Sequence, residues 1–434
     1  MIDLKITPQR EAFVEGFDNE FYALLQVSSQ NNETSQKRDK SLNIAIVIDR
    51  SGSMSGGPLE EAKRCAIMMV EKMHPSDRVS IVAYDNHSEL IVPSSFCSEK
   101  QEIITLINSV FTGGMTALHE GWLMGAEEVA KNKTPNSINR VLLLSDGNAN
   151  IGIDDIDELK NQCAKLADVG VTTSTYGLGL HFNEDLMIEM ASSGLGQGYY
   201  GETAEDLSDP FQEEFALLLN TIATNVRLSA SAPKFIKLQL MNNLRDNGND
   251  WSMPDLALGG EAWALFKINL DKTHTNQGPL ELLKCFVKYK NMDGKEIECE
   301  PAKLILEPLH PNAFAMIEED KKVKTRISEV IVSSYQQEAK EAAKQNDWSR
   351  VDRIISEAKK FAADDPWMSQ SLHSLEKYSK RRQQDHFTKA AMYSSDRMNK
   401  RLVALDEHEG SFDSFSESRK VSYLRRKIER GKKM

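Results

Sequence analysis

Leu42-Asn43-Ile44-Ala45-Ile46-Val47-Ile48-Asp49, followed by Arg50-Ser51-Gly52-Ser53-Met54-Ser55-Gly56, is the stretch on which the reading of this chain turns. The first part is uncharged until Asp49 and rich in β-branched residues, the composition of a strand buried on both faces. It then breaks into a Gly- and Ser-rich loop in which Asp49, Ser51 and Ser53 alternate. That spacing directs one carboxylate and two hydroxyls, all hard oxygen donors, at one spot beyond the strand's end.

Outward from this strand, segments of two periodicities take turns. Leu59, Ala62, Ala66, Met69 and Met73 mark a helix over Leu59–Met73, and Arg78–Tyr84 is the next buried strand, with Glu89–Pro93 as its short partner. Helices are expected over Ile103–Phe111, His119–Lys131, Ile156–Val169, Asn183–Ala191 (with Asn183 as cap) and Ala204–Thr224. Strands are expected over Arg140–Ser145, Val171–Leu178 and Gly198–Gly201. Alternation of this kind predicts an α/β fold, a doubly wound and mostly parallel sheet over 41–224. In such sheets ligands bind beyond the carboxyl ends of the strands.

The flanks follow a different pattern. Ile2–Ile6 and Phe21–Ser28 come before this core; Val226–Ala230, Phe235–Leu240, Ala262–Leu270, Leu282–Tyr289, Ile297–Glu300 and Lys303–Leu306 come after it. Ala262, Ala264, Phe266 and Ile268 alternate onto one face, and Asp293-Gly294 is a hairpin turn. Residues 1–40 are too short to bury a core alone, so 1–40 and 225–310 are expected to assemble one antiparallel β-sandwich with the α/β domain inserted between them. From 311 to 405 the pattern is helical, a hairpin or bundle: Met316–Lys344, then Ser349–Ala363 with the stripe Val351, Ile354, Ile355, Ala358 and Phe361. Asp364-Asp365-Pro366 stops that helix and caps the next, whose seam runs Phe387, Ala391, Ser394, Met398, Leu402 and Leu405. Residues 406–434 divide into an acidic, Ser-rich linker and a basic tail.

The chain has 434 residues, 40% hydrophobic and 27% charged, with a net charge of −12. This is the balance of a globular protein. Eight Lys or Arg against one Glu fill 419–434, which leaves the remainder at −19. So acidic a body excludes nucleic acid as its partner; the tail is suited to an acidic surface. No apolar run is long enough to span a bilayer. Residues 1–30 are broken by Asp3, Glu11, Glu15, Asp18 and Glu20 and have no secretory pattern, and the five cysteines show no metal spacing. A cytoplasmic location is the expectation. Pairing about Asp293-Gly294 sets Cys299 opposite Lys288, away from Cys285, and disfavours a disulfide.

Two further loops complete the pattern. Gly113-Gly114-Met115-Thr116 offers another hydroxyl, 65 residues beyond Ser51, and Ser145-Asp146-Gly147 sets a carboxylate at the end of a buried strand, 30 residues beyond Thr116. Two carboxylates and three hydroxyls suit Mg²⁺, or Mn²⁺, and do not suit zinc. Together the three loops resemble the metal-ion-dependent adhesion site of von Willebrand factor type A domains, DxSxS…T…D, and the resemblance spans about 43–224. It implies that Ser51, Ser53 and Thr116 bind the metal directly, that Asp49 and Asp146 hold it mainly through water, and that one position is left for an Asp or Glu of a protein partner.

Gly177-Leu178-Gly179, Phe182 to Leu186 and Tyr199-Tyr200 are similar to the fifth-strand region of bacterial intracellular members. Those often accompany Ser/Thr kinases, PP2C-type phosphatases or MoxR-like ATPases, which the resemblance offers as partners. The expected function is a cytoplasmic, Mg²⁺-dependent scaffold or adaptor, not an enzyme. Two alternatives stand beside it. A metal-dependent hydrolase or phosphotransferase needs a base, a nucleophile or a second metal beside these loops; a surface adhesin needs export. Arg50 and His181 read as loop residues, His119 as a helix-surface or core histidine, and Asp154, Asp155, Asp157 and Glu158 as acidic residues favoured at a helix start.

Overall fold

The computed structural model describes residues 2–29, 40–134, 136–146, 149, 151–276, 278–291, 293–362, 365–400 and 403–404. Among them the chain forms two compact units: one holds 40–221, and the other gathers 2–29 with most of the chain from 222 to 400.

The first unit is a six-stranded sheet. Its strands are β1 (Ser41–Asp49), β2 (Arg78–Tyr84), β3 (Ser88–Phe96), β4 (Ser137–Ser145), β5 (Thr172–Leu178) and β6 (Leu195–Gly201). Their order is β3-β2-β1-β4-β5-β6. All neighbours are parallel except β2 and β3, which form an antiparallel pair. This is the doubly wound order, with its switch point between β1 and β4. The helices are α1 (Gly57–Lys72), α2 (Lys100–Asn108), α3 (Leu118–Lys131), α4 (Ile156–Asp168), α5 (Glu184–Ser193) and α6 (Ser208–Asn220).

Side chains of the central strands alternate between two helical layers. Ile44, Ile46 and Ile48 of β1 share a core with Leu59, Ala66 and Met69 of α1, Ile103 and Ile107 of α2, and Phe211 and Phe215 of α6. On the other face α3 comes so close that a Cβ on Gly125 would lie 2.5 Å from Val47. Trp122 of α3 donates its indole N–H to Thr173 of β5 at 3.1 Å. Burial on both faces explains why β1 and β4 read as unbroken apolar runs.

The second unit is the sandwich. One sheet runs Ile2–Pro8, Asn19–Ser29, Gly260–Leu270, Ile236–Leu240, all antiparallel. The other runs Arg245–Asp246, Trp251–Ser252, Thr221–Ser231, Leu280–Lys290, Ala302–Leu309, Ala12–Val14. Ala262, Ala264, Phe266 and Ile268 face the shared core against Val226, Leu228, Leu283 and Val287. Trp263 and Leu265 point the opposite way, onto Val323 and Val330 of α7 (Lys321–Lys344). Three helices follow: α8 (Trp348–Ala362), α9 (Pro366–Lys380) and α10 (Gln384–Lys400). They share an apolar core with α7 through Val332, Ala339, Val351, Ile355, Leu372 and Phe387.

Several expectations are corrected. The closing helix of the α/β unit does not reach Thr224: α6 ends at Asn220, and Thr221 begins a strand. Phe111 is not helical, because α2 stops at Asn108. The sandwich is not wholly antiparallel, since Ala12–Val14 pairs parallel with Glu307, Pro308 and Leu309. The stretch after Pro366 is two helices, broken where Arg382 takes a φ of 54°. Lys288 faces Glu298, one residue from the expected Cys299; both cysteines are free. The seam positions Leu402 and Leu405, the linker and the basic tail lie outside the described residues.

Candidate functional site

Asp49 is the last residue of β1 and is fully buried. Its carboxylate accepts the Ser51 backbone N–H at 2.8 Å through Oδ1 and the Ser145 hydroxyl at 2.6 Å through Oδ2. The first bond folds the chain sharply after the strand, the turn that an Asp side chain favours. A short 3₁₀ turn, Gly52–Met54, carries the backbone towards α1. The Ser51 and Ser53 hydroxyls stand 3.1 Å apart, and Ser53 donates to Asp146 Oδ1 at 2.7 Å. Ser145, Asp49, Ser51, Ser53 and Asp146 thus form one chain of polar contacts across the ends of β1 and β4.

The Thr116 loop is fastened to the same place through its backbone. Gly52 N–H donates to Gly114 O at 2.8 Å, Gly113 N–H to Arg50 O at 2.7 Å, and Ile151 N–H to Thr116 O at 3.3 Å. The three loops picked out in the sequence therefore converge, with Ser51, Thr116 and Asp146 buried and Ser53 exposed.

Two residues beyond β2 do much of the positioning. Asn86 Oδ1 accepts Met115 N–H at 2.7 Å, and Asp85 O accepts Ala117 N–H at 2.7 Å. Both glycines of the Thr116 loop lie hard against these side chains. A Cβ on Gly113 would stand 1.8 Å from Asp85 Oδ2, and one on Gly114 2.6 Å from Asn86 Oδ1. Glycine is required there by close approach. Asp85 and Asn86 went unnoticed in the sequence because Asp-Asn after a strand is also the composition of an ordinary turn.

The flanking polar residues have local tasks. Arg50 is not a solvated loop residue: Nε is 3.2 Å from Asp85 Oδ2 and Nη1 is 2.6 Å from Glu89 Oε2. His119 Nε2 is 2.9 Å from Gln162 Oε1, bracing α3 on α4. Asp155 caps α4 by accepting Glu158 N–H. His181 is exposed.

The electrostatics of the site are unusual. Burial pushes the Asp49 carboxyl up to about 6, against hydrogen bonds from Ser145 and Ser51 that pull it down; the neighbouring charge of Asp146 adds to the rise. Burial also raises Asp146, opposed by the Ser53 hydroxyl and by nearby His181. Among the described residues neither carboxylate has a cationic partner within ion-pair distance. The Tyr84 hydroxyl is wholly buried beside Asp49 and Ser145, and burial, with the Asp49 charge adding to it, pushes it well above its ordinary range. Two buried carboxylates held by hydroxyls and a backbone N–H, with no ion pair among the described residues, describe a place short of positive charge. No cluster of three or more His, Cys, Asp or Glu suited to a metal occurs among the described residues, so a cation here would rest on hydroxyls as well as carboxylates. Such an all-oxygen set fits a hard divalent ion.

Residues 43–213 match the family model of the von Willebrand factor type A domain. A protein of Synechocystis sp. is 31% identical over 191 residues, which cover 43% of this chain and 44% of that one. YfbK of Escherichia coli strain K12 is 31% identical over 211 residues, covering 48% and 37%. The chain thus spans less than half the length of these relatives. A solved von Willebrand factor type A protein from Catenulispora acidiphila shares 16% identity and superposes with a TM-score of 0.73 over 92% of this chain and 96% of its own. At that identity the likeness is one of fold, and it takes in the sandwich and helices as well as the α/β unit. No described helix is long and apolar enough to cross a membrane.

Proposed function

With residues 43–213 forming a von Willebrand factor type A domain, we propose that the loops after β1 and β4, with the Thr116 loop, hold one divalent cation, Mg²⁺ before Mn²⁺, and that the domain is a metal-dependent docking module for another protein. Ser51, Ser53 and Thr116 would be direct ligands, and Asp49 and Asp146 would act mainly through water. Mg²⁺ keeps waters readily and is commonly held by few protein charges, which suits this set. The bound ion would supply a fixed positive charge able to take an Asp or Glu side chain from a partner. The observation that carries this reading is the pair of buried carboxylates, Asp49 and Asp146, held by the hydroxyls of Ser145 and Ser53 and without an ion pair among the described residues.

On this reading the site is a place of attachment and not a catalytic centre, because the hydroxyls that could serve as nucleophiles are themselves the ligands. A scaffold or adaptor role in the cytoplasm follows. Its partner would present an acidic side chain; a Ser/Thr kinase, a PP2C-type phosphatase or a MoxR-like ATPase is the set the family resemblance suggests. Thermal unfolding with Mg²⁺ and with EDTA, for the native chain and for Asp49→Ala, tests the proposal. Mg²⁺ is expected to raise the Tm of the native chain and leave that of the variant unmoved. Equal Tm in Mg²⁺ and EDTA for the native chain would end it.

A further inference from the structure

Two exposed apolar residues precede Thr116 in the chain. Phe111 is 73% exposed and Met115 49% exposed, and both belong to the segment that leads into Thr116. Isolated exposed apolar residues are ordinary; a pair beside a polar site is a feature that marks contact surfaces. Neither residue dangles. The Met115 N–H is held by Asn86 Oδ1 at 2.7 Å, and the Phe111 ring lies 5.9 Å from the Arg50 guanidinium carbon. Gly52, Gly113 and Gly114, in the loops that carry Ser53 and Thr116, are exposed, so the backbone there is open to close approach.

Arg50, which lies against the Phe111 ring, is engaged by Asp85 and Glu89. Arg50 is therefore not a free ionic anchor for an acidic partner, and the exposed side chains of Phe111 and Met115 offer apolar surface instead. Complementarity then demands a segment with its negative charge at the cation and an apolar group next to it.

We propose that Phe111 and Met115 form an apolar wall that selects partner segments whose docking Asp or Glu is adjacent to a large apolar residue. This rests on the metal-dependent docking reading above and adds the partner's local chemistry. The charge engages the ion, and the flanking side chain covers the Phe111 ring and the Met115 thioether, removing both from water. Contacts of this kind at the edge of a charged anchor commonly decide between otherwise equivalent ligands.

The experiment uses the full chain and short fluorescent peptides bearing one Asp among Gly and Ser, or the same Asp with Leu or Phe on either side. Anisotropy is read in Mg²⁺ and in EDTA, for the native chain and for Phe111→Ser and Met115→Ser, with Mg²⁺ binding followed separately by calorimetry. In Mg²⁺ the apolar-flanked peptides are expected to bind about tenfold tighter than the Gly/Ser peptide. The serine variants should lose that preference while binding Mg²⁺ as the native chain does. Mg²⁺-dependent binding without a flank preference, or a preference that survives both variants or persists in EDTA, overturns this inference and spares the docking reading. Mg²⁺ binding with no peptide bound at all overturns both. Self-association abolished by Phe111→Ser would assign the wall to a second copy of the chain and overturn the proposed occupant.

Discussion

Asp49 concentrates the chemistry of the account in one side chain. Its carboxyl lies near 6 in the folded chain, against 3.8 for an ordinary Asp, because burial disfavours the charge. The folded form therefore prefers the proton. The stability this preference contributes is present below about pH 4 and is lost as pH rises through about 6, on the order of 2 to 3 kcal/mol by pH 7. A cation reverses the sign, since it binds the ionised form and gains affinity as pH rises through the same window. Asp49→Asn is thus expected to raise the metal-free Tm at pH 7 and to abolish the Mg²⁺-induced shift; a lowered metal-free Tm would contradict the electrostatic argument. At this scale the sequence was largely legible. The alternation of Asp49, Ser51 and Ser53 needs only a strand end to bring three oxygens together, and their contacts follow from that. Sequence offers Ser145 only as the neighbour of Asp146, yet its hydroxyl donates to Asp49 Oδ2. Nothing in the one-dimensional pattern joins residues 96 positions apart.

The decisive elements are the strand ends and the loop that follows α2. β1 and β4 announce themselves as apolar runs because helices cover both their faces. Where a helix stops is less visible: Val110 and Phe111 continue the apolar periodicity, but α2 ends at Asn108 and frees Phe111 to the surface. The break between α9 and α10 was equally hidden, since Arg382 adopts its positive φ without the glycine or proline that usually advertises a turn. The Thr116 loop depends on Gly113, whose added Cβ would meet Asp85 Oδ2 at 1.8 Å. Gly113→Ala should therefore displace the loop and weaken Mg²⁺ binding by at least about tenfold in calorimetry, with the circular dichroism of the fold retained. Undiminished affinity would show that the loop's placement is irrelevant to the ion.

Across the molecule, both flanks of the α/β domain contribute to one sandwich, and a helix covers that sandwich's outer face. The pairing of Gln26 with Trp263 and Val27 with Ala262 joins residues from opposite sides of the insertion. The alternation in Ala262–Leu270 foretold the inner face. The burial of Trp263 and Leu265 beneath α7 was not foretold, because Trp and Leu fit a strand buried on one side or on two. The covering helix is fixed by a buried charge network. Glu261 accepts Lys322 Nζ at 2.7 Å and Gln26 Nε2 at 2.9 Å, and lies 3.6 Å from Arg326, whose guanidinium stacks 4.5 Å from the Trp263 ring. Burial pushes the Glu261 carboxyl up, but these partners outweigh it and hold it below the ordinary carboxylate range. Glu261→Ala leaves Arg326 buried with Glu329 as its remaining ionic partner among the pairs described, and should destabilise this unit by about 3 kcal/mol in denaturant unfolding. A change below about 1 kcal/mol would mean that packing alone holds the helix.

The central claim is that three loops at the switch point of the sheet hold a divalent ion. A crystal structure determined with Mn²⁺, whose anomalous signal identifies the ion, tests it most directly. One peak is expected in contact with the hydroxyls of Ser51, Ser53 and Thr116, with Asp49 and Asp146 close behind. Those hydroxyls in their present places around a site without an anomalous peak, at a Mn²⁺ concentration that saturates other hard-oxygen sites, would contradict it.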